Sequence, residues 1–240
     1  MSGMNKTPYQ EFAREKLGFE FTNLDLLITA LTHRSYVNEH KKSVQHHNER
    51  LEFLGDAVLE LAVTEYLFTN FVEPEGILTS WRAALVRTES IGAAGDELGY
   101  GSLIRMSKGE KNSSDRARLQ MLANAFEAVI GAIYLERGFD DARDFIHKHI
   151  IVKLDGILES GSWRDPKSYL QEISQRVDGH TPVYKVLHEE GPDHDKVFTL
   201  GVFVGDNLMG RGSGSSKQAA QQEAARAAIA AYKQSGSDCK

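Results

Sequence analysis

The feature that most constrains the fold is a change of hydrophobic period part-way along the chain. Up to about residue 158, apolar residues recur every three or four positions, the spacing of one helix face. Leu51, Leu54, Val58, Leu61 and Leu67 mark one such stretch, ended by Pro74. Leu78 to Leu98 repeats it as one helix broken by Gly99 and Gly101, and Leu119 to Leu135 forms another, stopped near Gly138. Asp25 to Leu31 is apolar at the same spacing, and Asn48 stands where a side-chain oxygen would cap a helix. Pro166 to Val177 suits one more helix, with proline in its first turn. The period then drops to two, in Val183 to His188, Val197 to Val204 and Leu208 to Gly212. Gly205-Asp206-Asn207 supplies a hairpin turn, and Ser216 to Tyr232 is an alanine-rich closing helix. The expectation is a multidomain chain. An all-α domain over 8–158 leads through a polar linker, 159–165, to a small α-β-β-β-α (α+β) domain over 166–235.

Composition narrows the function. No run of about 18 apolar residues occurs, so no membrane-spanning helix is expected. The N-terminal residues lack the apolar core of a secretory signal, and the single cysteine, Cys239, allows neither a disulfide framework nor a thiolate metal cluster. A cytoplasmic location is expected. There is no Walker-type phosphate loop, no zinc spacing and no Ser-His-Asp context, and no small-molecule cofactor is expected. The net charge is −6, from 28 Lys and Arg against 34 Asp and Glu. Nucleic acid would therefore have to be held by a local patch. The segment from Asn207 onward is the candidate: Arg211, Lys217, Arg226, Lys233 and Lys240 stand against Glu223 and Asp238.

The stretch His47-Asn-Glu-Arg-Leu-Glu-Phe-Leu-Gly-Asp56 carries the chemistry. On a helix Glu49, Glu52 and Asp56 point from one face, where like charges repel by roughly a few tenths of a kcal/mol per pair. A solvated acidic face is the simple reading. The second helix shifts the balance, because Asn124 and Glu127 are nearly the only polar residues between Leu122 and Tyr134. A carboxylate in so apolar a helix is costly without a partner. Setting Asn124 and Glu127 opposite Glu52 and Asp56 would line a divalent-cation site with oxygen, and Gly55 and Gly131 would let the backbones approach. Phe53 and Leu54 are expected to face the core; an interface is the equal alternative for the face of Phe53, Leu54 and Ala57. His33 and Ser35 are read as structural.

HNERLEFLGDAVLEL resembles the signature of the ribonuclease III family of double-stranded-RNA endonucleases. LLITALTHRSYVNEH, PEGILTSWRAALV and ANAFEAVIGAIYLERGF agree with it. DPKSYLQEISQR with GSGSSKQAAQQEAARAAI resembles the double-stranded-RNA-binding domain of bacterial members. The resemblance implies hydrolysis of the phosphodiester bonds of double-stranded RNA with Mg²⁺ (or Mn²⁺ in its place), leaving 5′-phosphate and 3′-hydroxyl ends. It implies ribosomal- and messenger-RNA processing, and a homodimer with two cutting centres about a two-fold axis. By position it implies Asp56 and Glu127 as catalytic residues, Glu52, Asp56, Asn124 and Glu127 at the metal, and Glu49 at the cleft edge. Duplex contacts fall on Gln171, Glu172, His194, Arg211, Ser216 and Lys217. Asn124 departs from the usual Asp and motivates the alternative, a non-catalytic duplex binder with an impaired metal site. Gln218 replaces a frequent second lysine.

Overall fold

The computed structural model describes residues 5–192 and 196–234, which divide into two compact units, one ending at Trp163 and the other beginning at Arg164. The first unit is helical. Its elements are α1 (Thr7–Phe12, continued by a π turn over Ala13–Leu17), α2 (Leu24–Ala30), α3 (Arg34–Glu39), α4 (Glu49–Asn70) and α5 (Glu75–Val86). α6 (Thr88–Glu97), α7 (Asp115–Arg137), α8 (Phe139–His149) and α9 (Leu154–Ser160) follow.

The axis of this unit is α7. The Ser114 hydroxyl accepts the Ala117 N–H at 3.4 Å to start it, and Gly138, at φ +90°, ends it. Met121 to Ala123, Ala125, Phe126 and Ala128 to Ile133 are all buried, so the helix is enclosed on most sides, by α2, α4, α6 and α8. Against it, α4 lies at backbone contact. A Cβ on Gly55 would stand 1.7 Å from the Glu127 carbonyl oxygen, and one on Gly131 would stand 2.3 Å from that of Leu51.

That contact sets the rotation of α4. Leu51, Gly55, Val58, Leu59, Ala62 and Val63 turn inward. Phe53 lies about half a turn around the helix from Leu51 and is 81% exposed, contrary to the core position expected for it. Leu54 is only partly buried. Asn48 also departs from expectation. It stands at the N-cap position but makes no side-chain cap: its φ/ψ are helical, −73° and −20°, in place of the extended backbone of a capping residue, and its N–H donates to the Thr32 carbonyl at 2.9 Å. The single helix expected from Leu78 to Leu98 is two, parted at Arg87, whose backbone is extended. The halves have different partners, α5 packing on α4 and α9 and α6 on α7, which one straight helix could not reach. Near the end of the unit Trp163 meets Trp81 edge to face, with ring centroids 5.9 Å apart.

The second unit runs α10 (Pro166–Val177), β1 (Val183–Glu190), β2 (Val197–Val204), β3 (Asn207–Gly214) and α11 (Lys217–Gln234). Asp165 caps α10 by accepting Ser168 N–H at 2.9 Å. The strands form an antiparallel sheet in the order β1-β2-β3, and Gly205, at φ +57°, turns the chain between the last two. α11 presses on β3 because both surfaces are small. Cβ atoms on Gly210 and Gly212 would fall 2.4 and 2.2 Å from α11 backbone atoms, while Ala220, Ala224, Ala225 and Ala228 are fully buried. Leu170, Ile173, Val202 and Tyr232 complete the core, and the Tyr232 hydroxyl donates to Asp178.

The α4–α7 contact yields a test. Gly55→Ala leaves its methyl no space, and overpacking of this kind costs roughly 1–3 kcal/mol. A lowered urea midpoint with unchanged far-ultraviolet circular dichroism is expected; wild-type stability would show that the two backbones do not touch.

Candidate functional site

Two helices supply the candidate residues. Glu49 and Glu52 occupy the first turn of α4, where the helix dipole favours negative charge, and Asp56 follows one turn on. Across the Gly55–Gly131 contact stands the one polar stripe of α7, Gln120, Asn124 and Glu127, at steps of four and three.

Burial first, and neighbouring acids second, act on two of these carboxyls. Burial pushes the Glu127 carboxyl up to about 8, with further increments from Asp56, Glu52 and Glu60. Glu52 is raised by burial first and then by Glu49 and Asp56. Asp56 is exposed. Glu49 stands apart at the rim, its carboxylate 3.3 Å from Arg34 Nη1 and 3.8 Å from His47 Nδ1. Asn124 is half-buried and accepts a hydrogen bond from Gln120 Nε2 at 2.7 Å.

This is an oxygen-rich donor set in which burial and neighbouring negative charge raise the Glu127 and Glu52 carboxyls, and a divalent cation would offset both. Among the described residues no three His, Cys, Asp or Glu side chains converge closely enough to enclose an ion by themselves. A Mg²⁺ ion held here by one or two of these carboxylates would keep several waters. His33 and Ser35 are occupied structurally: their side chains bond at 2.8 Å, and the Ser35 hydroxyl accepts Ser107 N–H at 3.0 Å.

Sequence reasoning missed Glu60 and Gln120. Both were within reach of the helical pattern, Glu60 four residues after Asp56 and Gln120 four before Asn124. Arg82, which pairs with Glu60 at 2.9 Å from α5, left no local signal.

In the second unit Lys217 opens α11. Its Nζ lies 3.2 Å from a Glu189 carboxylate oxygen and 5.5 Å over the Phe198 ring. Gln171 and Glu172 are exposed on α10, and Gln171 shares a polar cleft of about 380 Å³ with Lys167, Ser168, Tyr184, Gln218 and Gln222. The Ser216 hydroxyl caps α11 by accepting Ala219 N–H at 3.1 Å. Arg211 is exposed on β3 between Gly210 and Gly212, which face α11, so it stands on the opposite side of the sheet. His194 lies outside the described residues.

Comparison with known proteins bears on both units. Residues 23–154 match the family described as Ribonuclease-III-like, and residues 166–232 match the double-stranded RNA binding motif. The chain belongs to the ribonuclease III family. It is 44% identical over 216 residues to Ribonuclease 3 of Oceanobacillus iheyensis, covering 90% of this chain and 94% of that protein. Ribonuclease 3 of Bacillus cytotoxicus is 45% identical over 222 residues, covering 92% and 90%. The nuclease domain of ribonuclease III from Campylobacter jejuni superposes with a TM-score of 0.52 at 44% identity, covering 59% of this chain and 98% of that one.

Glu127 generates a pH test. Its carboxyl titrates near 4.5 when unfolded and about 8 when folded. Between those values the unfolded state holds fewer protons, so the stability of the cation-free protein falls as pH rises through the window and levels above it. Glu127→Gln is expected to flatten that fall in urea titrations run with a chelator; an unchanged slope would count against the burial of this carboxyl.

Proposed function

We propose that the protein is an endoribonuclease that hydrolyses double-stranded RNA with a divalent cation, Mg²⁺ or Mn²⁺, held by one or two carboxylates from among Glu52, Asp56 and Glu127 with waters completing its shell. The observation that carries this reading is the α4–α7 contact, which sets a half-buried Glu127 into the field of Asp56 and Glu52. Held there, such a cation would supply Lewis-acid activation of water and offset charge on the phosphate and the leaving 3′-oxygen, and hydrolysis would leave 5′-phosphate and 3′-hydroxyl ends.

The chain's own residues do the rest. Asp56, exposed at the mouth, and Glu52, one turn earlier, offer carboxylate oxygens from α4. Glu127 offers one from α7 once it has lost its proton, so cation binding releases a proton near neutral pH. Glu49 is a rim residue oriented by Arg34, and Asn124 borders the site.

In this reading residues 8–158 cut and residues 166–235 hold the duplex. A-form RNA is recognised by shape, phosphates and 2′-hydroxyls. Lys217 at the N-terminus of α11 suits a phosphate, and Gln171 and Glu172 suit the minor groove. The alternative, a non-catalytic binder, is not favoured, since the carboxylates of the signature helix and of α7 are all present beside Asn124. Among the described residues no helix is long and apolar enough to cross a membrane. A cytoplasmic role in processing ribosomal and messenger RNA is the biological setting we propose.

We propose further that the protein works as a homodimer through α4. Phe53, Ala57, Leu61 and Phe68 form one exposed stripe, with Leu61 57% and Phe68 78% exposed. It adjoins an apolar groove of about 670 Å³ lined by Leu67, Phe71, Val72 and Leu78. The structure of the Campylobacter jejuni nuclease domain is described as showing flexibility in a region involved in dimer formation. Two centres about a two-fold axis would cut both strands of a duplex.

Asp56→Ala is expected to abolish cleavage of a uniform RNA duplex in Mg²⁺ while leaving duplex binding intact. Undiminished cutting would remove the site assignment. Phe53→Asp is expected to shift the protein to monomers in sedimentation velocity, and a dimer of wild-type strength would move the interface elsewhere.

A further inference from the structure

The Gln120–Asn124 pair bears on how the site works beyond its carboxylates. Gln120, Asn124 and Glu127 form the polar stripe of α7, while Met121 to Ala123, Ala125 and Phe126 are buried. Helical side chains lean toward the N-terminus, so Asn124 leans over the turn of Gln120, and Glu127 leans over the turn of Asn124. Gln120 Nε2 donates to Asn124 Oδ1 at 2.7 Å. The Oδ1 end of the Asn124 carboxamide is therefore turned to Gln120, and its Nδ2–H₂ end is turned away from Gln120.

A carboxamide differs from a carboxylate here. Its two ends are unlike, one accepting and one donating, so whatever fixes its rotation decides what it offers. On this face of α7 the next polar side chain is Glu127, three residues on and an acceptor when ionised, and Asp56, Glu52 and Glu60 add their charge around it. A donor among them stabilises ionised carboxylate or a phosphate oxygen, whereas another oxygen adds to the repulsion.

We propose that Gln120 is a positioning residue that holds Asn124 with its Nδ2–H₂ toward the carboxylates and the scissile phosphate. Asn124 then acts as a hydrogen-bond donor to anionic oxygen and not as a ligand of the cation. The inference rests on the hydrolytic reading of this site and changes the part assigned to Asn124 within it.

The test uses the full chain with Gln120→Ala, an exposed position where alanine suits a helix. Three measurements are made: kcat and KM on a uniform RNA duplex, the affinity for Mn²⁺ alone by calorimetry, and the same kinetics in an Asn124→Asp background. Freeing the carboxamide is expected to lower kcat about fivefold, the scale of one neutral hydrogen bond, with KM unchanged and Mn²⁺ bound no more tightly. In the Asn124→Asp background the substitution at 120 is expected to lose its effect on kcat, because both carboxylate ends are alike. Tighter Mn²⁺ binding by Gln120→Ala would mean that the released oxygen ligates the cation, and it would overturn the proposal. So would an unchanged kcat, or an equal loss in both backgrounds. Failure of the hydrolytic reading itself shows differently, as a wild-type chain that does not cut or an Asp56→Ala chain that still does.

Discussion

The closeness of α4 to α7 is the constraint on which the rest depends. Two glycines meet across it, each with the other helix's backbone where a side chain would begin. Packed helices ordinarily stand 8–10 Å apart at their axes, a separation set by the side chains between them. Removing those side chains brings the acids of one helix into the field of the other, and it turns Leu51, Val58 and Ala62 inward while Phe53 and Leu61 turn out. One contact therefore sets both the charge density at the site and the face of α4 left to solvent.

Much of this was legible in the residues. The switch of period from helical spacing to alternation separates the two units, and the apolar run of α7 with only Asn124 and Glu127 interrupting its middle marks the inward-facing acid. The second unit reads almost directly, from Pro166 in the first turn of α10 to Gly205 in the turn before β3. Gly210 and Gly212 fall in the stretch read as the third strand, and with Gly214 they form the flat surface on which α11 lies.

What could not be read was decided by tertiary partners. Nothing in Val86-Arg87-Thr88 announces a break; it follows from the separate packing of α5 and α6. Asn48 has the chemistry of a cap, but its backbone is helical instead of extended, with its N–H bonded to Thr32. Phe53 is apolar beside apolar Leu54, and only the rotation imposed by Gly55 puts it outside. Gln120 is an ordinary polar residue until its amide is seen to meet Asn124.

The edge-to-face pair of Trp81 and Trp163 gives the molecule an intrinsic optical probe. These are the only two indoles in the chain, one largely buried on α5 and the other the last residue of the helical unit. Selectively excited tryptophan emission of the unlabelled protein therefore comes from a single seam, where the chain leaves its helical unit. Loosening of that exit would be visible as a spectral change before the helices melted, without a dye or an engineered residue.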